Sequence, residues 1–388
     1  MSRHTELLII GAGPFGLAMA AYAAHHHMDH LVVGHPMSFW HAHMPQGMYL
    51  RSACDWHLDP LKIHTIEAYL QTQQLRPADV EPLARDFYVR YAQWFQQQKR
   101  IEPLATSVEQ LNSSPDALYV FEAILGDGET ITARNVLLAI GFQYFKNIPP
   151  EFAQMIPSGS FSHTCDCVSF EAFQGKRCLI IGGRQSAFEW AALLHEHGAA
   201  AVHVSHRHET PEFRPSDWSW VGPLVEAMVD RPGWFRHLSG PEKQALNQRF
   251  WAEGRLKLEP WLKSRLDHDT VKLWPTSQLV SCRQSPQGAL EVTLDPGGRL
   301  TVDHIILATG YKVNMANIPF LRRGNLLSRL QTSNGYPVLD EHFQSNIPGL
   351  FMTSMAAAQD FGAFFAFTVS VGASARIIGA FLKHTLTR

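Results

Sequence analysis

Short apolar runs alternate along the chain with glycine-bearing turns and with longer stretches of small apolar residues. Residues 6–10 form an apolar run that ends at glycine, which predicts a buried strand. Residues 14–27 open on Pro14 and place small residues on one side, which predicts a helix. Residues 30–33 are apolar again and predict a second strand. The same order returns later, with a strand over 178–181, a helix over 185–197 and a strand over 201–205. Two further apolar runs, NVLLAIGFQYF (135–145) and HIILATGYKVN (304–314), end in small residues and a glycine and flank the second unit. They read as crossings between two domains. A first domain is expected at 1–157 and 304–388, with a second inserted at 158–303. Inside the insertion, 214–262 lacks a strand pattern and is helical in character. It holds Trp218, Trp220, Trp234, Trp251 and Trp261, five of the ten tryptophans. This excursion either buries its aromatics against its own domain or forms a lid over a pocket. The longest apolar stretch, 361–373, lies between Asp360 and Arg376. It falls short of the roughly 20 residues that span a bilayer and predicts a buried helix.

The glycines give these elements a chemistry. Gly11, Gly13 and Gly16 stand in G-x-G-x-x-G spacing between the first strand and the first helix, the context in which that spacing binds a dinucleotide. Gly13 lets the backbone approach a pyrophosphate, and Gly16 lets the helix pack on the strand. The helix N-terminus offers unpaired N–H groups and a positive dipole end. About twenty residues on, where a carboxylate usually holds the adenosine ribose, stand Gly34 and His35. The ribose is then expected to rest on backbone groups and on side chains of HPMSFW, Ser38 among them. The second unit departs from the pattern. Gly182 and Gly183 are present, but Arg184 holds the second glycine's place and Ala187 the third's. Arg184 either reaches over the phosphates as a cation or marks a unit that no longer binds. Beyond the second strand of that unit come Ser205, His206, Arg207 and His208, with no carboxylate. A 2′-phosphate is not repelled there and can pair with Arg207, which favours NADPH over NADH. The chain thus reads as α/β, with two nested Rossmann-like dinucleotide-binding domains and a Trp-rich helical excursion.

Composition narrows the setting. A chain of 388 residues has room for roughly two to three domains. The formal charge of -2 leaves no basic footprint for nucleic acid. His25, His26 and His27 are adjacent on a helix end and point in different directions, so they read as a solvated terminus and not as a metal site. Five cysteines, Cys54, Cys165, Cys167, Cys178 and Cys282, with no C-x-x-C, argue for a reducing compartment. No metal is expected. The start lacks a secretory leader pattern. A cytoplasmic protein without membrane partners is expected, with a homodimer left open.

Taken together, these motifs resemble the class B flavin-dependent monooxygenases, a group that includes flavin-containing, Baeyer–Villiger and N-hydroxylating monooxygenases. The resemblance covers almost the whole chain. GAGPFGL resembles their FAD fingerprint, GGRQSAFEWA their NADPH fingerprint and ILATGY their second crossing. GSFSHTCDCVSF (159–170) resembles the segment before the NADPH strand, with His163 as its histidine. HMPQGMYLRS (43–52) resembles the segment that passes the flavin, and IPGLFMTSMAAAQDFGAFFAF, with Asp360, the C-terminal flavin-binding stretch. The chain departs at Arg184, at Ile140 in a place usually threonine, and at Ser354 in a place often glycine. The resemblance implies FAD in the first domain and NADPH, or NADH, in the second at Gly182, Gly183, Arg184, Gln185 and Ser186. It further implies oxidation of a small organic substrate by O2 through a peroxyflavin. Arg51 and Asp55 would form a charge pair near the flavin ring or a structural ion pair. His163 would touch nicotinamide or close the hinge between domains. Two alternatives remain at this level. A reductase of the thioredoxin-reductase type needs two thiols near the flavin, and the lack of C-x-x-C opposes it. A flavin redox sensor without turnover is motivated by Arg184 and Ile140.

Overall fold

The computed structural model describes residues 3–114 and 120–386. The first unit consists of β1 (Arg3–Ile10), α1 (Pro14–His25) and β2 (His30–Val33). Three more strands, β3 (Val108–Ser113), β4 (Phe121–Leu125) and β5 (Thr130–Leu138), extend the sheet in the order β2-β1-β5-β4-β3. β1 is parallel to both of its neighbours. β5 serves two partners in turn. Its first half is antiparallel to β4, and Val136–Leu138 run parallel to the strand Leu350–Met352. The last part of the chain therefore returns to the first sheet.

The second sheet contains β6 (Phe161–His163), β7 (Arg177–Ile181) and β8 (Ala201–Ser205), with Val271–Trp274 at one edge, beside β8, and His304–Leu307 between β7 and β6. All its pairings are parallel. A parallel strand must be covered on both faces, and β7 is. Cys178 and Ile180 face the cluster that holds Phe188, Ala191 and Leu194 of the helix α2 (Gln185–Glu196). Leu179 and Ile181 face Leu290, Val292 and Val302 of a three-stranded antiparallel sheet. This alternation is the period-two signature of a strand. The expected return to the first domain at 304 needs correction: His304–Leu307 belongs to the second sheet, and the crossing starts at Ala308.

The excursion is helical, with α3 (Val221–Asp230) and α4 (Gly240–Arg255) its main elements. A capping box between Ser239 and Glu242 starts α4. It does not pack on its own domain alone, however. Val221, Val225, Met228 and Phe235 are buried in the same cluster as the first sheet, and Trp218, Trp220 and Trp234 lean on that cluster. Glu226 pairs at 2.7 Å with Arg376 of the C-terminal helix α5 (Val371–Leu386). Only Trp261, of the five tryptophans, packs with the core of the second unit. The apolar stretch 361–373 is not one helix. Gly362, at φ +93, interrupts it, short turns follow, and α5 begins only at Val371. Among the described residues no helix is long and apolar enough to cross a membrane.

Candidate cofactor site

The two glycine turns are built on one plan. Gly11 donates to the Val33 carbonyl at 2.8 Å, and Gly182 donates to the Ser205 carbonyl at 3.0 Å. Ala139 donates to Ile10 at 2.8 Å, and Ala308 donates to Ile181 at 2.9 Å. Each first glycine thus sits between the end of its neighbouring strand and a crossing. A Cβ on Gly11 would stand 2.4 Å from the Ala139 oxygen, and one on Gly182 would stand 2.5 Å from the Ala308 oxygen. Only glycine fits either place. Gly13 differs, since a Cβ there meets no protein atom within 4 Å. It opens onto free space at the N-terminus of α1, whose cap has no side-chain hydrogen bond. That is the cradle an anion needs. Gly16 packs so closely that its Cβ would fall 1.8 Å from the Gly11 oxygen.

The missing acid at Gly34 has a steric cause. Gly34 has φ +143, and a Cβ there would lie 3.0 Å from the Ala12 nitrogen. In the second unit the sizes are exchanged. Gly183 stands at the place of Ala12 and His206 at the place of Gly34, and a Cβ on Gly183 would meet the His206 Cβ at 2.5 Å. One partner of each close approach must be glycine. His206 and His208 stack in parallel at 5.2 Å beside this turn. Ser38 begins a five-residue helix directly after the left-handed Met37. Ser354 is buried with φ +59, which explains why glycine suits that place.

The second turn gathers cations. Arg184 is the N-cap of α2 with extended backbone, so a side chain is free of strain there. Its guanidinium lies 4.9 Å from the Trp251 ring and donates to the Arg255 carbonyl. Gln185 accepts from the Glu259 N–H at 3.2 Å, and Ser186 is exposed. Arg207 is exposed at the end of β8.

The crossings lie side by side and form the hinge. Asn147 donates to Gly310 at 2.9 Å and Lys312 donates to Phe145 at 2.7 Å. His163 is fully buried against them. Its Nε2 lies 3.0 Å from the Gly310 oxygen and its Nδ1 lies 3.0 Å from the Cys165 sulfur. Burial holds the ring below the ordinary imidazole range. Both of its nitrogens are engaged within the protein. His43, Cys165 and Asp166 bring one donor atom each within 4.8 Å of one another, the arrangement of a metal tripod. Each already has a partner within the protein. Asp166 pairs with Lys146 at 3.0 Å, His43 Nδ1 meets the Cys165 carbonyl at 2.8 Å, and burial pushes the Cys165 thiol up to about 12.

Arg51 and Asp55 do not pair, which corrects the expectation. Asp55 is exposed, while Arg51 reaches into the excursion. It donates to Glu259 at 2.8 Å, to the Gly254 carbonyl at 2.7 Å, to the Glu253 carbonyl at 3.0 Å and to Ser216. It also lies 5.6 Å from the Trp218 ring, which meets Trp56 edge-on. Arg51 therefore latches the end of α4 to segment 43–52. Asp360 accepts from the Leu339 N–H at 2.9 Å and steadies a loop with that oxygen. The sequence missed Arg255 and Glu259, because nothing in their spacing shows that the excursion folds back onto the second turn.

Two nested dinucleotide units joined by a double crossing define the class of the protein. The chain matches the pyridine nucleotide-disulphide oxidoreductase family over residues 8–232 and belongs to it. The FAD-dependent urate hydroxylase of Xanthomonas campestris pv. campestris is 25% identical over 285 residues, which are 68% of this chain and 56% of that protein. The chain thus spans little more than half the length of that relative. The ornithine N-hydroxylase of Kutzneria sp. 744 superposes with a TM-score of 0.79 at 15% identity, over 99% of this chain and all of the other. The bacillithiol disulfide reductase of Staphylococcus aureus superposes with a TM-score of 0.67 at 16% identity, over 99% of each chain. The fold is therefore the one the resemblance implied.

Proposed function

We propose that the protein is an FAD-dependent, NADPH-consuming monooxygenase acting on a small organic substrate. The first turn suits FAD, with Gly11 and Gly16 closing the turn, Gly13 leaving the phosphate space open and Ser38 beside the ribose position. The second suits the nicotinamide nucleotide, with Gly182, Gly183, Gln185 and Ser186 at the start of α2 and Arg184 and Arg207 supplying charge. Bound FAD would take hydride from NADPH and deliver electrons to oxygen. The chain's own part is to hold both nucleotides against the double crossing, where Tyr311 packs edge-on against His163 at 5.6 Å and against Phe142 at 5.0 Å.

One observation supports this reading over disulfide reduction. The described cysteines are all free, and Cys54, Cys165, Cys167 and Cys178 are buried with thiols pushed up by burial to about 12. Such thiols are poor nucleophiles at neutral pH. Flavin electrons then have no reactive dithiol among the described cysteines to enter, which favours oxygen as the acceptor. The names of the urate and ornithine hydroxylases agree with that choice. The test is oxygen uptake by purified protein with NADPH, alone and with a panel of amines, sulfides, ketones and aromatic heterocycles. One oxygen consumed per NADPH, with an oxygenated product from one class, is the expected result. NADPH oxidation that proceeds without oxygen and is driven by a low-molecular-weight disulfide would overturn the reading.

A further inference from the structure

The end of α4 places a second cation beside the second glycine turn. Arg255 lies 5.8 Å from the Trp251 ring, on which Arg184 also rests at 4.9 Å. Neither guanidinium has a carboxylate partner among the described residues, unlike two arginines close by. Arg51 takes Glu259 and Arg265 takes Glu189 and Glu196. Arg184 is half-buried and Arg255 is exposed beside it; burial, and then the charge of Arg255, lowers the affinity of Arg184 for its proton. Two cations side by side without a counter-charge repel one another and attract an anion. Two further features agree. Gln185, the first residue of α2, has a buried Nε2 with no acceptor. Trp251 is 50% exposed, an indole left in solvent between two arginines.

We infer that Arg255, carried in by the helical excursion, acts with Arg184 to clamp the pyrophosphate of the nicotinamide nucleotide at the second turn. This rests on the nucleotide assignment above and gives the excursion a role in nucleotide capture. Arg51 positions the clamp, since it holds the carbonyls of Glu253 and Gly254 immediately before Arg255. A pyrophosphate is common to NADH and NADPH, so the clamp does not choose between them. That separates Arg255 from Arg207, whose proposed partner is the 2′-phosphate.

The experiment is titration of the full-length, flavin-loaded protein with NADPH and with NADH, read by calorimetry. Arg255→Gln should weaken both nucleotides alike, by about ten- to a hundredfold, the loss of one charge-assisted contact. Arg255→Lys should recover most of the binding, and Arg207→Ala should weaken NADPH alone. Arg184→Gln serves as a second variant should Arg255→Gln melt early, with equal losses for both nucleotides expected. Unchanged affinity in a folded Arg255→Gln protein overturns the clamp while leaving the nucleotide assignment intact. A wild-type protein that retains flavin yet binds neither nucleotide overturns both.

Discussion

Gly13 and Gly16 are three residues apart and carry opposite kinds of constraint. Gly13 faces open space, so a side chain there costs the protein nothing and costs a bound phosphate its place. Gly13→Val should give a folded, colourless protein whose melting temperature without cofactor matches that of wild type stripped of flavin, checked by absorbance and circular dichroism. Gly16 has no such freedom with the Gly11 oxygen 1.8 Å from a Cβ. Gly16→Val should fail to accumulate as soluble protein. Arg207 belongs to a third kind, an exposed cation with no ion pair among the described residues. Arg207→Ala should cost NADPH binding about 1.5–3 kcal/mol and leave NADH binding unchanged, measured as the ratio of the two dissociation constants. The fingerprint glycines were legible because backbone geometry is written in residue identity. Arg51 was misread, since the partner of a long flexible side chain lies wherever the fold brings one.

The helical excursion is the element whose role the sequence left open. Its aromatics lean on the first unit, and Arg51 fastens its end there through a largely buried pair with Glu259, the two side chains 16% and 9% exposed. Removing one partner of such a pair leaves the other charge stranded, at a cost of about 3–5 kcal/mol. Arg51→Ala should therefore expose residues 214–262 to limited proteolysis at protease levels that leave wild type intact. An unchanged digestion pattern would show that the tryptophans alone hold the element. Trp218 and Trp220 are half-buried beneath Arg51 and Arg249. Replacing both by Ala should therefore lower the melting temperature before it alters any oxygen chemistry, which scanning calorimetry beside a peroxide assay would reveal.

At the scale of the molecule, buried histidines tie stability to pH. Burial holds His57, His163, His203, His206 and His304 below the ordinary imidazole range. Unfolded, each titrates near pH 6.5. Between that value and its lower folded pKa, the unfolded chain binds more protons than the folded one. Stability is thus full above about pH 6.5 and falls as the pH drops below it. Urea midpoints should decline measurably between pH 7 and pH 5. His163→Gln, which keeps a polar group at the hinge, should flatten part of that slope. A midpoint constant down to pH 5 would rule the histidines out as the cause.

What the sequence determined by itself was local. The strand–turn–helix units, the glycines that let a turn touch a crossing, and the period-two burial of β7 are all set by neighbours within a few residues. Even the absent acid at Gly34 was visible, though its cause, the approach to Ala12, was not. The tertiary structure decided what depends on distant chain. It placed His304–Leu307 in the second sheet, because that strand fills the gap between β7 and β6. It turned the excursion onto the first unit, because α3 finds the apolar face of α5 there. It gave Arg51 to Glu259 and left Arg184 and Arg255 without acids. Those pairings join residues scores or hundreds of positions apart, where hydrophobic burial selects the contact and sequence spacing carries no record of it.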